Sequence, residues 1–150
     1  MKMSIQDRIN FYVVEFHSSV AIEPVKEFLS HPAEDRIEDL ERVRKLGTEL
    51  ADLYQVEMPV ITCFVRDNNY VPETREIYLA EPELESFLHQ FRHHLQNIER
   101  RYERRGLCTE GIKGTPYDMP YTDCVYALRG EDDAIAWSKA IIKLAQGKKS

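Results

Sequence analysis

The sequence predicts an α+β domain. Two short β-branched runs stand near the middle of the chain, at "VITCFV" and "EIYLA". Amphipathic helical stretches lie on both sides of them. The order is helix, strand, strand, long helix, loop, helix. At 150 residues the chain is most simply one domain, residues 1–150, large enough for a core of its own.

From the N-terminus, Ile5, Ile9, Tyr12, Val13, Phe16 and Val20 follow helical spacing, although "FYVVEF" also has the composition of a strand; helix is favoured over 5–20. Pro24 suits the first turn of a short helix that ends near "SHP". Over 33–55, Ile37, Leu40, Val43, Leu50 and Tyr54 recur on one side of a second helix. Val60 to Val65 read as a buried strand, "DNNYVPETRE" as a turn, and "EIYLA" as a second strand, which together suggest a β-hairpin. A strong helix follows and is stopped by Gly106. Residues 106–129, around "GTPYDMP", read as irregular. "EDDAIAWSKAIIKLAQG" reads as the last helix, with acids in its first turn and Lys143 near its end, as the macrodipole favours.

Composition narrows the function. An apolar fraction of 43% with 31% charged residues is that of an ordinary soluble domain, and a net charge of −6 argues against broad nucleic-acid binding. Three cysteines, Cys63, Cys108 and Cys124, make an odd set with no C-x-x-C pair. They predict neither a disulfide framework nor a cysteine zinc knuckle, and a reducing cytoplasm fits them. No apolar run approaches the ~20 residues of a membrane span, and the first residues lack the apolar segment of a signal peptide.

The chemistry concentrates in "FLHQFRHHLQN". At ~100° per residue, Leu84, Leu88, Phe91, Leu95 and Ile98 form one stripe, and His89 and His93 lie roughly opposite it. Positions four apart are neighbours on a helix, so both imidazoles can reach one cation. The plainer reading is two solvent-facing histidines on a polar face. His94, nearer the apolar stripe, reads as a packing or hydrogen-bonding residue, and His17 and His31 as structural or surface residues. A catalytic zinc usually takes three protein ligands and leaves a position for water. Glu131 is the candidate third: it shares a face with Ala134, Ile135, Ser138, Ile141, Ile142 and Ala145, whereas Asp132 and Asp133 are expected to project away.

Two short strands, a histidine pair spaced as in H-E-x-x-H, and then "EDDAIAWS", matching E-x-x-A-x-x-[FW]-[AS], together resemble the minimal gluzincins, the small zinc peptidases of the phage-repressor-cleaving and radiation-response type. The resemblance covers roughly residues 57–145. It implies a zincin-like fold with a small antiparallel hairpin packed on the active-site helix. It also implies a Zn2+ held by His89, His93 and Glu131, and a protein or peptide substrate extended along the hairpin edge. The departure is Gln90, which stands where the family has its general-base glutamate. An amide can hydrogen-bond a water but cannot take its proton near neutral pH. Gln90 is read either as natural, making a pseudoenzyme or peptide-binding module with structural zinc or none, or as a near-isosteric replacement that silences a peptidase. The otherwise intact constellation favours the replacement.

Other residues carry weaker readings. Tyr117, Tyr121 and Tyr126 are candidate oxyanion donors. Arg92 and the run Glu99 to Arg105 read as a solvated helix end. Cys108, Cys124, Asp118 and Asp123 are minor alternatives as ligands. Neither a glycine-rich phosphate loop nor a G-x-S-x-G elbow is present.

Overall fold

The structure is a computed structural model that describes residues 18–99 and 121–147, with side chains from Val20 to Glu99 and from Gly130 to Gly147. A 3₁₀ turn, Ser18–Ala21, leads into helix α1, Ile22–Ser30, and then helix α2, Arg36–Tyr54. Three strands follow, β1 Val60–Cys63, β2 Asn69–Val71 and β3 Glu76–Leu79, and then helices α3, Leu84–Ile98, and α4, Tyr121–Ala145. Among the described residues the architecture is α+β, four helices with a small three-stranded sheet. The proposed helix over 5–20 lies almost entirely outside the described residues; the histidine helix, expected to run to Gly106, ends at Ile98 with Glu99 as its C-cap.

Local signals explain the helix ends. Pro24 sits in the first turn of α1, where its missing N–H costs nothing. Asp35 caps α2 by accepting from the Glu38 N–H at 2.8 Å, and the Glu38 carboxylate in turn accepts from the Glu34 N–H at 2.8 Å. This is the reciprocal logic of a capping box, carried by two acids. Gln55, in the left-handed conformation at φ 56°, closes α2 by donating to Ala51. Along α2, Val43, Leu46, Leu50 and Ala51 are buried. Ile37, expected on that face, is 69% exposed, because the first turn of α2 extends past the core.

The sheet corrects the sequence reading. Its order is β1-β3-β2, with β1 parallel to β3 and β2 antiparallel to it. The two predicted strands are therefore parallel neighbours rather than the arms of a hairpin, and the sheet is mixed rather than antiparallel. The hairpin partner of β3 is β2, which lies inside the segment read as a turn. A reversal at Phe64 (φ 67°) takes the chain off β1, and a second at Arg75 (φ 56°) turns β2 into β3. Three residues dense in Asn and Tyr are too short to show a strand period, so β2 is defined only by its pairing with β3.

The core forms where α3 lies across the sheet and against α2 and α4. Leu88, Phe91 and Leu95 of α3 are buried, as the stripe predicts, with Phe87 beside them. They meet Ile61, Ile77 and Leu79 from the strands, Val43, Leu46 and Leu50 from α2, and Trp137 and Ile141 from α4. Phe91 stacks on Trp137 at 6.5 Å between ring centroids, and Tyr54 leans on both. The close approach of α2 depends on Gly47, where an added Cβ would come within 2.9 Å of Met58 Cε and 3.0 Å of Ile61 Cδ1.

Helix α4 also differs from expectation. It begins at Tyr121, so Glu131, Asp132 and Asp133 lie well inside it rather than in a first turn. Residues 121–129, read as irregular, are helical, and Gly130 does not interrupt them. The dipole argument for the three acids therefore fails, and a different cause is needed for at least one of them. No described helix is long and apolar enough to cross a membrane.

Candidate metal centre

Helices α3 and α4 pack side by side, and their facing edges bring three side chains together. His89 and His93, one turn apart on α3, place their Nε2 atoms 3.2 Å from each other, with ring centroids 4.9 Å apart. Glu131 reaches over from α4. Its Oε2 lies 3.2 Å from His89 Nε2 and its Oε1 2.6 Å from His93 Nε2. The hydrogen bonds to His89 and then His93 hold the Glu131 carboxyl well below the usual carboxylate range, against a smaller opposing effect of burial. The imidazoles are about 20% and 19% exposed and the carboxylate 53%, so one side of the cluster is open to water.

This group can hold a metal ion, its three ligand atoms all lying within 4.8 Å of one another. The spacing can be tested against coordination geometry. With metal–ligand bonds of ~2.0–2.1 Å at tetrahedral angles, donors stand about 3.3 Å apart. The two imidazole nitrogens, 3.2 Å apart, are already near that value, and each lies within 3.2 Å of a Glu131 carboxylate oxygen, Oε2 for His89 and Oε1 for His93. Both histidines present the same nitrogen, Nε2, to the shared point. Among the described residues no fourth His, Cys, Asp or Glu joins them.

Behind the cluster lies a buried polar network that sequence reasoning did not find. Arg92, read as part of a solvated helix end, is fully buried. It makes a two-pronged ion pair with Asp133, Nε to Oδ2 at 2.7 Å and Nη2 to Oδ1 at 2.9 Å. Its guanidinium also lies 5.2 Å from the centre of the Trp137 ring. Asp133, expected to project away from the core, is likewise fully buried. The expectation that Glu131 was the only inward carboxylate of α4 is thus corrected: Asp133 is enclosed, and Glu131 stands at the border of the buried face. Ile135, assigned to the apolar face, is 41% exposed. Hydropathy assigns each charge to water by default, and only the partner on the neighbouring helix makes burial tolerable. Gln96 completes the network. Its amide nitrogen donates to Gly130 O at 2.9 Å and Asp133 Oδ2 at 2.8 Å, and its oxygen lies 2.9 Å from His93 Nδ1. The available clue was that Gln96 follows His93 by three positions and so lies on the same side of α3.

Gln90 lies on α3 between the two ligand histidines, and its side chain is buried. His94 is a hydrogen-bonding core residue, as expected. It is buried, with Nε2 2.6 Å from Glu57 O and Nδ1 2.8 Å from the Tyr70 hydroxyl. The carbonyl can only accept, so Nε2 donates to it and Nδ1 accepts from Tyr70. Burial pushes the His94 imidazole below its ordinary value. Asn97 adds bonds to the Tyr70 hydroxyl and Pro72 O, fixing α3 to β2. His31 is exposed at the end of α1. Cys63 is half-buried on β1, and burial raises its thiol. Tyr117, Cys108, Asp118 and His17 lie outside the described residues. Tyr121, Asp123, Cys124 and Tyr126 lie in the first turns of α4, where the backbone alone is described.

Compared with protein-family models, with curated proteins and with solved structures, the chain matches none.

Proposed function

We propose that the chain is a zinc metallopeptidase scaffold of the gluzincin type, with the general-base position occupied by Gln90, which leaves it largely inactive. The observation that carries the reading is the convergence of His89, His93 and Glu131 on one point from two helices. Zinc bound there would acidify its water and polarise a peptide carbonyl. His89 and His93 would bind it through Nε2 and Glu131 through its carboxylate, and the open side of the cluster would admit the substrate. Gln90 can donate and accept hydrogen bonds but cannot carry a proton away. Turnover is therefore lower by ~10²-fold or more than with a glutamate there. The substrate is a protein or peptide, held extended by strand addition to the hairpin edge, now identified with β2. A cytoplasmic setting accompanies this reading.

A second reading is favoured by the buried network. Arg92, Asp133 and Gln96 already clamp α3 to α4, and a zinc beside them would add a further clamp in a non-catalytic peptide-binding module. Zinc content of the purified protein, followed by a proteolysis assay of Gln90→Glu, tests both. One zinc per chain with cleavage by Gln90→Glu is expected for the peptidase. Zinc without cleavage in that form supports the binding module, and no zinc removes the peptidase and leaves only a metal-free module.

A further inference from the structure

We propose that Gln96 is a positioning residue for the metal centre. It keeps a hydrogen on His93 Nδ1, so that Nε2 is the nitrogen offered to a metal, and it anchors α4 on either side of Glu131. The inference rests on the metal-binding reading above and adds to it the residue that prepares the site.

The argument is one of donors and acceptors. The Gly130 carbonyl accepts only, and so does the Asp133 carboxylate, ion-paired to Arg92. Both lie within 3 Å of the same atom of Gln96. Only the NH2 end of the amide can face two acceptors, so its orientation is decided by α4. The amide oxygen must then face the other way, and there it meets His93 Nδ1 at 2.9 Å. An amide oxygen cannot donate, so Nδ1 carries the hydrogen. With its hydrogen kept on Nδ1, His93 offers a metal ion Nε2, the atom that faces His89 and Glu131, once the ion displaces the hydrogen that Nε2 shares with the Glu131 carboxylate. A second consequence follows from position. Gly130 and Asp133 bracket Glu131 in the chain, so the amide that sets a ligand ring on α3 also fixes the helix that delivers the third ligand. Gln96 is itself buried, so water does not compete for these bonds.

Two measurements test the proposal. The first needs no metal. In Glu131→Ala, where no carboxylate competes for Nε2, nitrogen-15 NMR of neutral His93 is expected to show the Nδ1–H form. Adding Gln96→Met is expected to shift it to mainly Nε2–H. A residue that merely tied the helices together would leave the tautomer unchanged, and an unchanged tautomer overturns the proposal. The second measures cobalt(II) affinity in the otherwise unaltered chain, where Gln96→Met is expected to weaken binding ~10–100-fold, the scale of a lost outer-sphere partner. Equal affinity overturns it as well. If the unaltered chain binds no cobalt, the metal centre itself fails, and the tautomer still decides whether Gln96 governs the ring. Should Gln96→Met not fold, the exchange Gln96→Glu with Asp133→Asn keeps both the total charge and an acceptor at His93 Nδ1. It is expected to retain the Nδ1–H form, and loss of that form counts against the proposal.

Discussion

Replacing Asp133 with alanine tests how the two ligand helices are held. In the folded chain Asp133 and Arg92 are both fully buried, joined by bonds of 2.7 and 2.9 Å. Asp133→Ala leaves a guanidinium without water and without its carboxylate, and it takes one acceptor from Gln96. Removing one partner of a buried pair costs ~3–5 kcal/mol, mostly the penalty of a buried charge that has lost its counter-ion. For a chain of this length, that corresponds to a fall in melting temperature of roughly 6–20 °C, at about 2–4 °C per kcal/mol. Trp137 is the chain's one tryptophan, and it lies beside the Arg92 guanidinium, so its fluorescence during urea unfolding reports this region directly. The control is Asp133→Leu with Arg92→Met, which removes both charges and fills the space. It is expected to be far less damaging than the single change, and near neutral. A loss under ~1 kcal/mol for Asp133→Ala, or a double variant as unstable as the sum of its singles, would refute the burial argument.

Two further expectations concern pH and metal. The His94 imidazole is depressed below 6.5, chiefly by burial, so the unfolded chain binds its proton first as pH falls. The stability it contributes is complete above 6.5 and is lost as pH drops from there toward the depressed value. Urea midpoints across that window are expected to fall less steeply for His94→Gln than for the unaltered chain, and parallel curves would contradict this. Zinc at ~100 times its dissociation constant is expected to stabilise the fold by ~2.7 kcal/mol. Glu131→Ala is expected to lose most of that shift in a thermal scan, and an undiminished shift would place the zinc elsewhere.

The histidine helix was legible in the sequence because its information is local. Leu88, Phe91 and Leu95 repeat at the helical period, which sets their face and, by default, that of His89 and His93. Pro24 marked a helix start by the same local chemistry. Glu131 was reached from its place on the apolar face of the last helix and then matched to a pattern, and that placement holds only in part: it sits at the edge of the buried face, and Asp133 is the enclosed acid. The hairpin failed differently. Strand order depends on which segments pair, and nothing within "VITC" or "EIYL" specifies that they run parallel.

The sequence by itself determined where the helices carry their apolar stripes, that the fold is mixed, and that two imidazoles stand one turn apart. Those properties depend on the period of the backbone and on nearest neighbours along the chain. Tertiary structure alone decided the mixed sheet, the burial of Arg92 with Asp133, and the way Gln96 sets the His93 ring. Each of these depends on a partner distant in sequence, and a charge or an amide acquires a buried role only when its complement is packed against it.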